Sequence, residues 1–256
     1  MRELNSVVLT GVGALTARGD CTRRAVRSIA GAGFVLPEFQ LSDYLDSKKT
    51  YLDRCSALAL AGCALALRDA GVLWPVAEEA FGIALGTHLG CLETMKGFWD
   101  KAGERGVRLA PPLLFSHSYI NSPISLCAIE FGLKGYHTTL CAGRDSGLEA
   151  VRAAFDAIRL GHAGAMLCGG VEAATPTRQL CEPTGNMGEA SVFFVLETPA
   201  HAAARGVEYS VPLEDETLNA ALQHREAVRA TWGDCGGAEG ALCLLQQWQA
   251  AARAGV

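Results

Sequence analysis

Apolar positions along the chain fall into short, closely spaced runs separated by longer stretches with helical spacing. Val7-Val-Leu-Thr10 is an apolar, β-branched run ending at Gly11-Val-Gly13, which predicts a buried strand followed by a turn. Residues 14–32 read as a loop and a short helix. From Tyr51 to Asp69 apolar residues recur at Leu52, Cys55, Ala59, Cys63, Ala66 and Leu67, which predicts a helix stopped by Gly71. Phe81–Gly86 predicts a second buried strand and Leu92–Lys101 another helix, and Pro111-Pro112 breaks the chain before Leu113-Leu-Phe115. A helix over Ser122–Phe131, a strand over Tyr136–Ala142 and a helix over Ser146–Leu160, ended by Gly161, follow. Ala165–Cys168 reads as a strand stopped by Gly169-Gly170. Ser191–Leu196 lacks alternation, as expected of a strand covered on both faces. Strands alternating with helices predict an α/β layered fold with a mostly parallel sheet. After about Glu208 the composition turns polar; Glu214–Arg229 shows no clear core face before the helix-like Ala238–Ala252.

With 256 residues, half of them hydrophobic, the chain can build one large domain or two small ones. A net charge of −5 and dispersed basic residues argue against nucleic acid or an anionic membrane as a partner. The first six residues lead straight into a strand-like run, and no apolar run reaches transmembrane length; the expectation is a soluble, cytoplasmic protein. Ten cysteines lie singly, without a Cys-x-x-Cys pair, and Cys63, Cys127, Cys168 and Cys243 fall in apolar runs. They predict free, buried thiols in a reducing compartment, with neither a metal site nor a cofactor.

The densest chemistry lies in Gly132-Leu-Lys-Gly-Tyr-His-Thr-Thr-Leu-Cys-Ala-Gly-Arg144-Asp-Ser-Gly-Leu-Glu-Ala150, a strand turning sharply into a helix. Within it Cys141 reads as a buried strand thiol, and Ser146 as a cap of the following helix. The serine-hydrolase pattern Gly-x-Ser-x-Gly is not met here, and Gly11-Val-Gly13 lacks the rest of a dinucleotide fingerprint. The segment resembles the nucleophile elbow of the β-ketoacyl synthases, which have the thiolase-like fold. Other segments match that family in order and spacing. They include Val8-Leu-Thr-Gly-Val-Gly13, Ala64-Leu-Ala-Leu-Arg-Asp-Ala-Gly71, Phe81-Gly-Ile-Ala-Leu-Gly-Thr87 and Ser116-His-Ser-Tyr-Ile-Asn121. Further on come Phe131-Gly-Leu-Lys-Gly135, Ile158-Arg-Leu-Gly161, Cys168-Gly-Gly-Val-Glu-Ala173, Gly188-Glu-Ala-Ser-Val-Phe-Phe-Val-Leu-Glu197 and His201-Ala-Ala-Ala-Arg-Gly206. The resemblance covers about residues 6–207. It implies a thiolase-like α/β layered fold with an intact first half, residues 1–207, and a strongly reduced second half, residues 208–256, within one compact unit.

The resemblance also shows where the chain departs from the family. The family's residue at the turn is a Cys that takes an acyl group as a thioester; here it is Arg144. A guanidinium is permanently charged and is no nucleophile. The family's first His motif is absent. Its Lys…Gly-His-x-x-Gly-Ala-Ala-Gly resembles Arg229-Ala-Thr-Trp-Gly-Asp234-Cys-Gly-Gly-Ala-Glu-Gly240, so that Lys becomes Arg229 and His becomes Asp234. No residue then keeps a catalytic role, and Arg144, Arg229 and Asp234 are degenerate positions. Either Arg144 pairs with Asp234 across the old site and plugs it, or Arg144 points to solvent.

The resemblance implies a partner subunit like the chain-length factors. Such a subunit forms a heterodimer with a full-length, active β-ketoacyl synthase of a bacterial type II polyketide or fatty-acid pathway, polyene-forming pathways among them. It meets the acyl carrier protein only indirectly. Pairing would use Tyr136, His137, Thr138, Thr139 and Leu140, and would bring Phe115, Ser116, His117, Ser118, Tyr119 and Asn121 to the partner's acyl tunnel. Phe115 and Tyr119 are the bulky candidates for limiting chain length, and His88, His117 and His137 read as structural or interfacial. A reduced second half should leave apolar faces bare, which argues for obligate pairing. The competing reading is an acyl-thioester hydrolase or decarboxylase that uses Cys141 or Ser146.

Overall fold

In the computed structural model, which describes residues 4–28, 33–37, 39–208 and 210–254, one eight-stranded sheet runs through the molecule. In chain order the elements are β1 (Val7–Thr16), β2 (Gly19–Cys21), β3 (Val26–Ser28), α1 (Arg54–Asp69), β4 (Phe81–Gly86) and α2 (Leu92–Arg105). Then come α3 (Pro112–Ser116), α4 (Ser122–Phe131), β5 (His137–Leu140), α5 (Ser146–Arg159), β6 (Ala165–Glu172) and α6 (Pro176–Cys181). The last are β7 (Ala190–Glu197), α7 (Pro199–Ala204), β8 (Val211–Leu213), α8 (Asp215–Ala220), α9 (Arg225–Trp232) and α10 (Glu239–Ala254). The sheet order is β3-β2-β1-β7-β6-β4-β5, with β8 also paired to β1.

The α/β layering matches the sequence expectation; the strand directions do not. β4 is parallel to β5 and β6, because α5 crosses over between β5 and β6. β6 and β7 are antiparallel, Ala165 facing Glu197 and Glu172 facing Ala190, since the link between them carries only the short α6 and turns back at the same end. β1 is antiparallel to β7, β2 and β8. The sheet is therefore mixed, not mostly parallel.

Gly11 and Gly13 do not form a turn either; both lie inside β1. A Cβ on Gly13 would sit 2.3 Å from the Ala66 amide nitrogen, and one on Gly11 2.5 Å from the Ala66 carbonyl oxygen. These glycines let α1 rest directly on the strand. Residues 14–28 continue β1 into a hairpin with β2 and β3, where a loop and short helix were expected, and Arg27 pairs with Asp20 across it. The rest of that expectation, residues 29–32, lies outside the described residues.

Each face of the sheet carries its own core. α1 and α4 cover one face with Leu58, Leu67, Ile124 and Phe131 against Phe193 and Val195. α5 and α10 cover the other with Leu148, Val151, Leu242 and Leu245 against Val192, Phe194 and Leu196. β7 thus buries alternate residues on opposite faces, which accounts for its unbroken apolar run.

The segment after residue 207 does have a core face: Leu218, Ala221 and Val228 are fully buried. A 3-10 turn over Ala221–His224 interrupts the helical period between α8 and α9, so no continuous stripe shows in the sequence. Residues 239–245 of α10 are all buried, lying between the sheet and this C-terminal cover. Apolar faces were expected to be bare, and over this helix layer the chain itself supplies the cover. Obligate pairing does not follow from exposure of that face.

An ion cluster fastens the end of β7. Glu197, fully buried, accepts hydrogen bonds from Thr10, from His201 and from Arg205, and His201 also reaches Glu78 at 2.6 Å. Burial opposes ionisation of Glu197, but His201, Arg205 and Thr10 outweigh it and hold its carboxyl down to about 2. Glu197 in turn raises the His201 imidazole above its ordinary 6.5. The imidazolium's contribution is thus complete below 6.5 and is lost as pH rises through the raised value. The Glu197 contribution is complete above 4.5 and is lost as pH falls toward about 2. The urea midpoint should therefore fall between mildly acidic and alkaline pH, and His201→Gln should flatten that alkaline decline. An unchanged slope in the variant would remove His201 from the cause.

Candidate functional site

β5 ends at Leu140 on the open edge of the sheet, and the chain then turns through Cys141, Ala142 and a 3-10 turn, Gly143–Asp145, into α5. Gly143 takes a left-handed φ of +65°, which closes the turn without a Cβ penalty. Ser146 does not cap α5 as expected. It is the helix's first residue, is fully buried, and ties the turn together: its Oγ donates to the Gly143 carbonyl at 2.6 Å and accepts from the Ala142 amide at 2.8 Å. Its hydroxyl is committed and out of a substrate's reach. Cys141 is exposed, not buried, because the strand pattern stops one residue short of it on an edge strand. Its thiol donates to the His88 carbonyl at 3.3 Å. Eight of the ten cysteines are buried as free thiols, Cys63, Cys127, Cys168 and Cys243 among them.

Arg144 stands at the tip of the turn, and its Nη2 donates to Asp234 Oδ2 at 2.6 Å. The pair forms, yet the Arg144 side chain remains 38 % exposed, so each of the two sequence alternatives holds in part. Asp234 is the more deeply set partner and also serves Arg178, whose side chain is only 2 % exposed. Arg178 Nη2 lies 3.3 Å from Asp234 Oδ1 and donates to the Asp234 carbonyl at 2.9 Å, while its Nη1 donates to the Gly188 carbonyl. The Asp234 backbone is fixed against Asn186 and Gly188. Burial opposes ionisation of Asp234, but Arg144, the Gly236 amide and Arg178 outweigh it and hold its carboxyl below the usual range. Arg178 also approaches Glu182, which pairs with His88 Nε2 at 3.1 Å.

Below this network lies Glu172, at the end of β6 and almost fully buried. Its carboxylate accepts from the backbone amides of His88 at 2.7 Å, Leu89 at 3.2 Å, Gly90 at 3.2 Å and Gly237 at 2.9 Å. Burial pushes its carboxyl above the usual range, against the pull of those amides and of Arg178. Arg229 does not reach Arg144's carboxylate. It grips Glu239, the first residue of α10, together with Arg225. Arg178, Glu172, Glu182, Arg225 and Glu239 went unremarked in the sequence. Glu172 and Glu239 lie in motifs that resemble the family's, Cys168-Gly-Gly-Val-Glu-Ala173 and the segment Arg229–Gly240, and no spacing announces a buried arginine such as Arg178.

The remaining candidates lie beside the elbow. On β5, His137 is exposed and Thr138, Thr139 and Leu140 are half-buried, with Tyr136 exposed just before them. Phe115 and Tyr119 are exposed and stacked edge-on at 5.3 Å, and Phe115 also meets Phe98 at 5.4 Å. Ser116 and Asn121 are exposed around them, Ser118 is half-buried, and the ring of the half-buried His117 lies 5.2 Å from Tyr51. Behind them a cavity of about 320 Å³ opens between the start of α1, α2 and α3, lined by Tyr51, Thr94, Gly97 and Leu114 among others. Its charged neighbours are mostly occupied elsewhere: Asp53 accepts from Ser56 and Thr94, Glu93 from Thr177, and Arg54 binds Glu189. No group of metal-ligating side chains and no helix long and apolar enough to cross a membrane occurs among the described residues.

The family profile of the β-ketoacyl synthase N-terminal domain matches residues 31–188, which include the elbow, Arg178 and Glu172. The chain belongs to the β-ketoacyl synthase family. Among its relatives within that family is 3-oxoacyl-[acyl-carrier-protein] synthase 2 of Synechocystis sp., 28 % identical over 196 residues, 75 % of this chain and 45 % of that one. Another is the tetracenomycin polyketide synthase ketoacyl synthase alpha subunit of Streptomyces glaucescens, 34 % identical over 132 residues, 47 % of this chain and 30 % of that one. The ishigamide ketosynthase/chain length factor superposes with a TM-score of 0.67 at 21 % identity over 80 % of this chain and 61 % of that one, which shows the shared fold. This β-ketoacyl synthase homologue spans about half the length of the first curated relatives it matches.

Proposed function

We propose that this protein is a catalytically silent, chain-length-factor-like subunit that pairs with an active β-ketoacyl-ACP synthase in a type II polyketide or fatty-acid pathway. Residues 1–207 serve as its ketosynthase-like half and residues 208–256 as a reduced remnant. The observation that carries this reading is the elbow itself: the turn is preserved, but its tip is a guanidinium held by Asp234. Thioester formation needs a nucleophile there, and an ion-paired arginine supplies none. Beside it, β5 presents an unpaired edge flanked by exposed Phe115, Tyr119 and Tyr136, the kind of surface that a partner strand completes.

The cavity behind those aromatics supports a role in shaping the partner's acyl tunnel. Gly97 lines it from the middle of α2, where glycine costs about 1 kcal/mol relative to alanine. A Cβ at Gly97 would meet nothing within 4 Å, so a larger residue could enter without displacing backbone. Co-expression with a full-length synthase is expected to give a stable 1:1 complex, and the isolated chain to take up no acyl group from acyl carrier protein by intact mass. Gly97→Leu should leave pairing unchanged and shorten the product of the complex. An acyl adduct on the isolated chain at Cys141 would replace this reading with the thioester-hydrolase or decarboxylase alternative.

A further inference from the structure

We infer that residues 214–232 form a strap latched over the elbow and the helix layer, which releases as one unit when its arginine–carboxylate clamps are weakened. This holds whether or not the proposed pairing does, because every contact it uses lies within the chain. The strap comprises α8, the 3-10 turn and α9, and it ends at Gly233, whose φ of +75° turns the chain out of the helix. Its apolar anchorage is small: Leu218, Ala221 and Val228 are fully buried, and Leu222 and Trp232 pack against the same core while partly exposed.

Charge does the rest, at both ends. At the α8 end Arg159 Nη1 meets Asp215 at 2.6 Å and Arg152 Nη2 donates to Asn219 at 3.0 Å, so these two arginines of α5 face the strap. At the α9 end Arg225 and Arg229, one helical turn apart, both grip Glu239. The distances are 3.1 Å from Arg225 Nε and 2.8 Å from Arg229 Nε. Arg225 also binds Asp145, the neighbour of Arg144 on the elbow turn.

The two ends differ in strength. Asp215 is half in solvent, and an exposed pair of this kind contributes little and is screened by salt. Glu239 is fully buried and needs its two arginines to offset its desolvation, whereas Arg225 and Arg229 keep 31 % and 41 % of their side chains in solvent, where salt competes for them. The α9 end is the latch and the α8 end the part that frays first. Beneath the latch lie Glu239, the elbow residue Asp145 and the thiol of Cys243. Cys243 is fully buried and close enough to Glu239, Arg225, Asp145 and Arg229 to feel their charges.

Cys243 therefore reports on the strap, and Cys168, buried in β6, on the sheet. The test is timed alkylation of the full-length protein with N-ethylmaleimide, read by peptide mass mapping in about 0.05 M and about 1 M sodium chloride. Salt should speed labelling of Cys243 by about tenfold or more while Cys168 keeps its rate, as expected for local opening. The double variant Arg225→Gln/Arg229→Gln should show the fast Cys243 rate already at low salt, and Arg159→Gln should not. Cys243 and Cys168 responding together, or neither responding to salt, would overturn the strap as an independent unit. The salt comparison on the unaltered chain decides the matter even if the double variant fails to fold.

Discussion

Glu172→Ala is expected to lower the stability of the protein by about 4 kcal/mol or more, enough to unfold a marginal domain. The carboxylate receives four backbone amides from two separate segments, His88–Gly90 after β4 and Gly237 before α10. Removing it strands the His88, Leu89 and Gly237 amides, at about 1–3 kcal/mol each, while the Gly90 amide keeps Thr87 Oγ1 at 3.0 Å. Relief from burying a charge offsets part of the loss, since burial already pushes the Glu172 carboxyl upward. Glu172→Gln retains one acceptor oxygen but turns an amide NH₂ toward donors, so it should fall between the parent and the alanine variant. Denaturant midpoints at equal slope would establish the order; an alanine variant as stable as the parent would show that the cage is filled by something other than Glu172.

Asp234→Ala should cost about 3–5 kcal/mol, the range for stranding a buried charge, whereas Arg144→Ala should cost about 1 kcal/mol or less. The asymmetry follows from exposure. Arg144 keeps 38 % of its side chain in solvent and can be rehydrated, while Arg178, with 2 %, cannot. The visible salt bridge at the elbow is thus the weaker of Asp234's two attachments. A double variant lacking both Arg144 and Asp234 should be about as unstable as Asp234→Ala alone. Equal losses for the two single variants would mean that the elbow pair, not Arg178, carries the stability.

The elements were legible where a local pattern controls them. α4 occupies the residues its periodicity predicts, and β4 and β7 follow their apolar runs within a residue. Direction and environment were not. Whether β7 runs parallel or antiparallel to β6 depends on how the link through α6 returns, which no apolar spacing encodes. Glycines in β1 read as a turn because the sequence does not show α1 pressing on them. Cys141 read as buried because the run ending at Leu140 gives no sign that β5 lies on an edge. At the site, Arg144 and Asp234 could be named because a family motif marked their places. Arg178 and Glu239 are recognisable only once folding has brought them to Asp234 and to the arginines of α9.

On the proposed reading, in which positions 144 and 234 are those of the family's Cys and His, the Arg144–Asp234 contact also has a historical consequence. Restoring a cysteine at position 144 would leave its thiol facing the Asp234 carboxylate across the space the guanidinium fills, and a nearby anion raises a thiol's pKa and suppresses the reactive thiolate. Restoring a histidine at position 234 first would place a second basic group against Arg144 and strand Arg178. Neither single reversal is favourable while the other substitution stands. On that reading the two changes act as a ratchet, each making the return of the other harder, and neither position reverts favourably unless both change together.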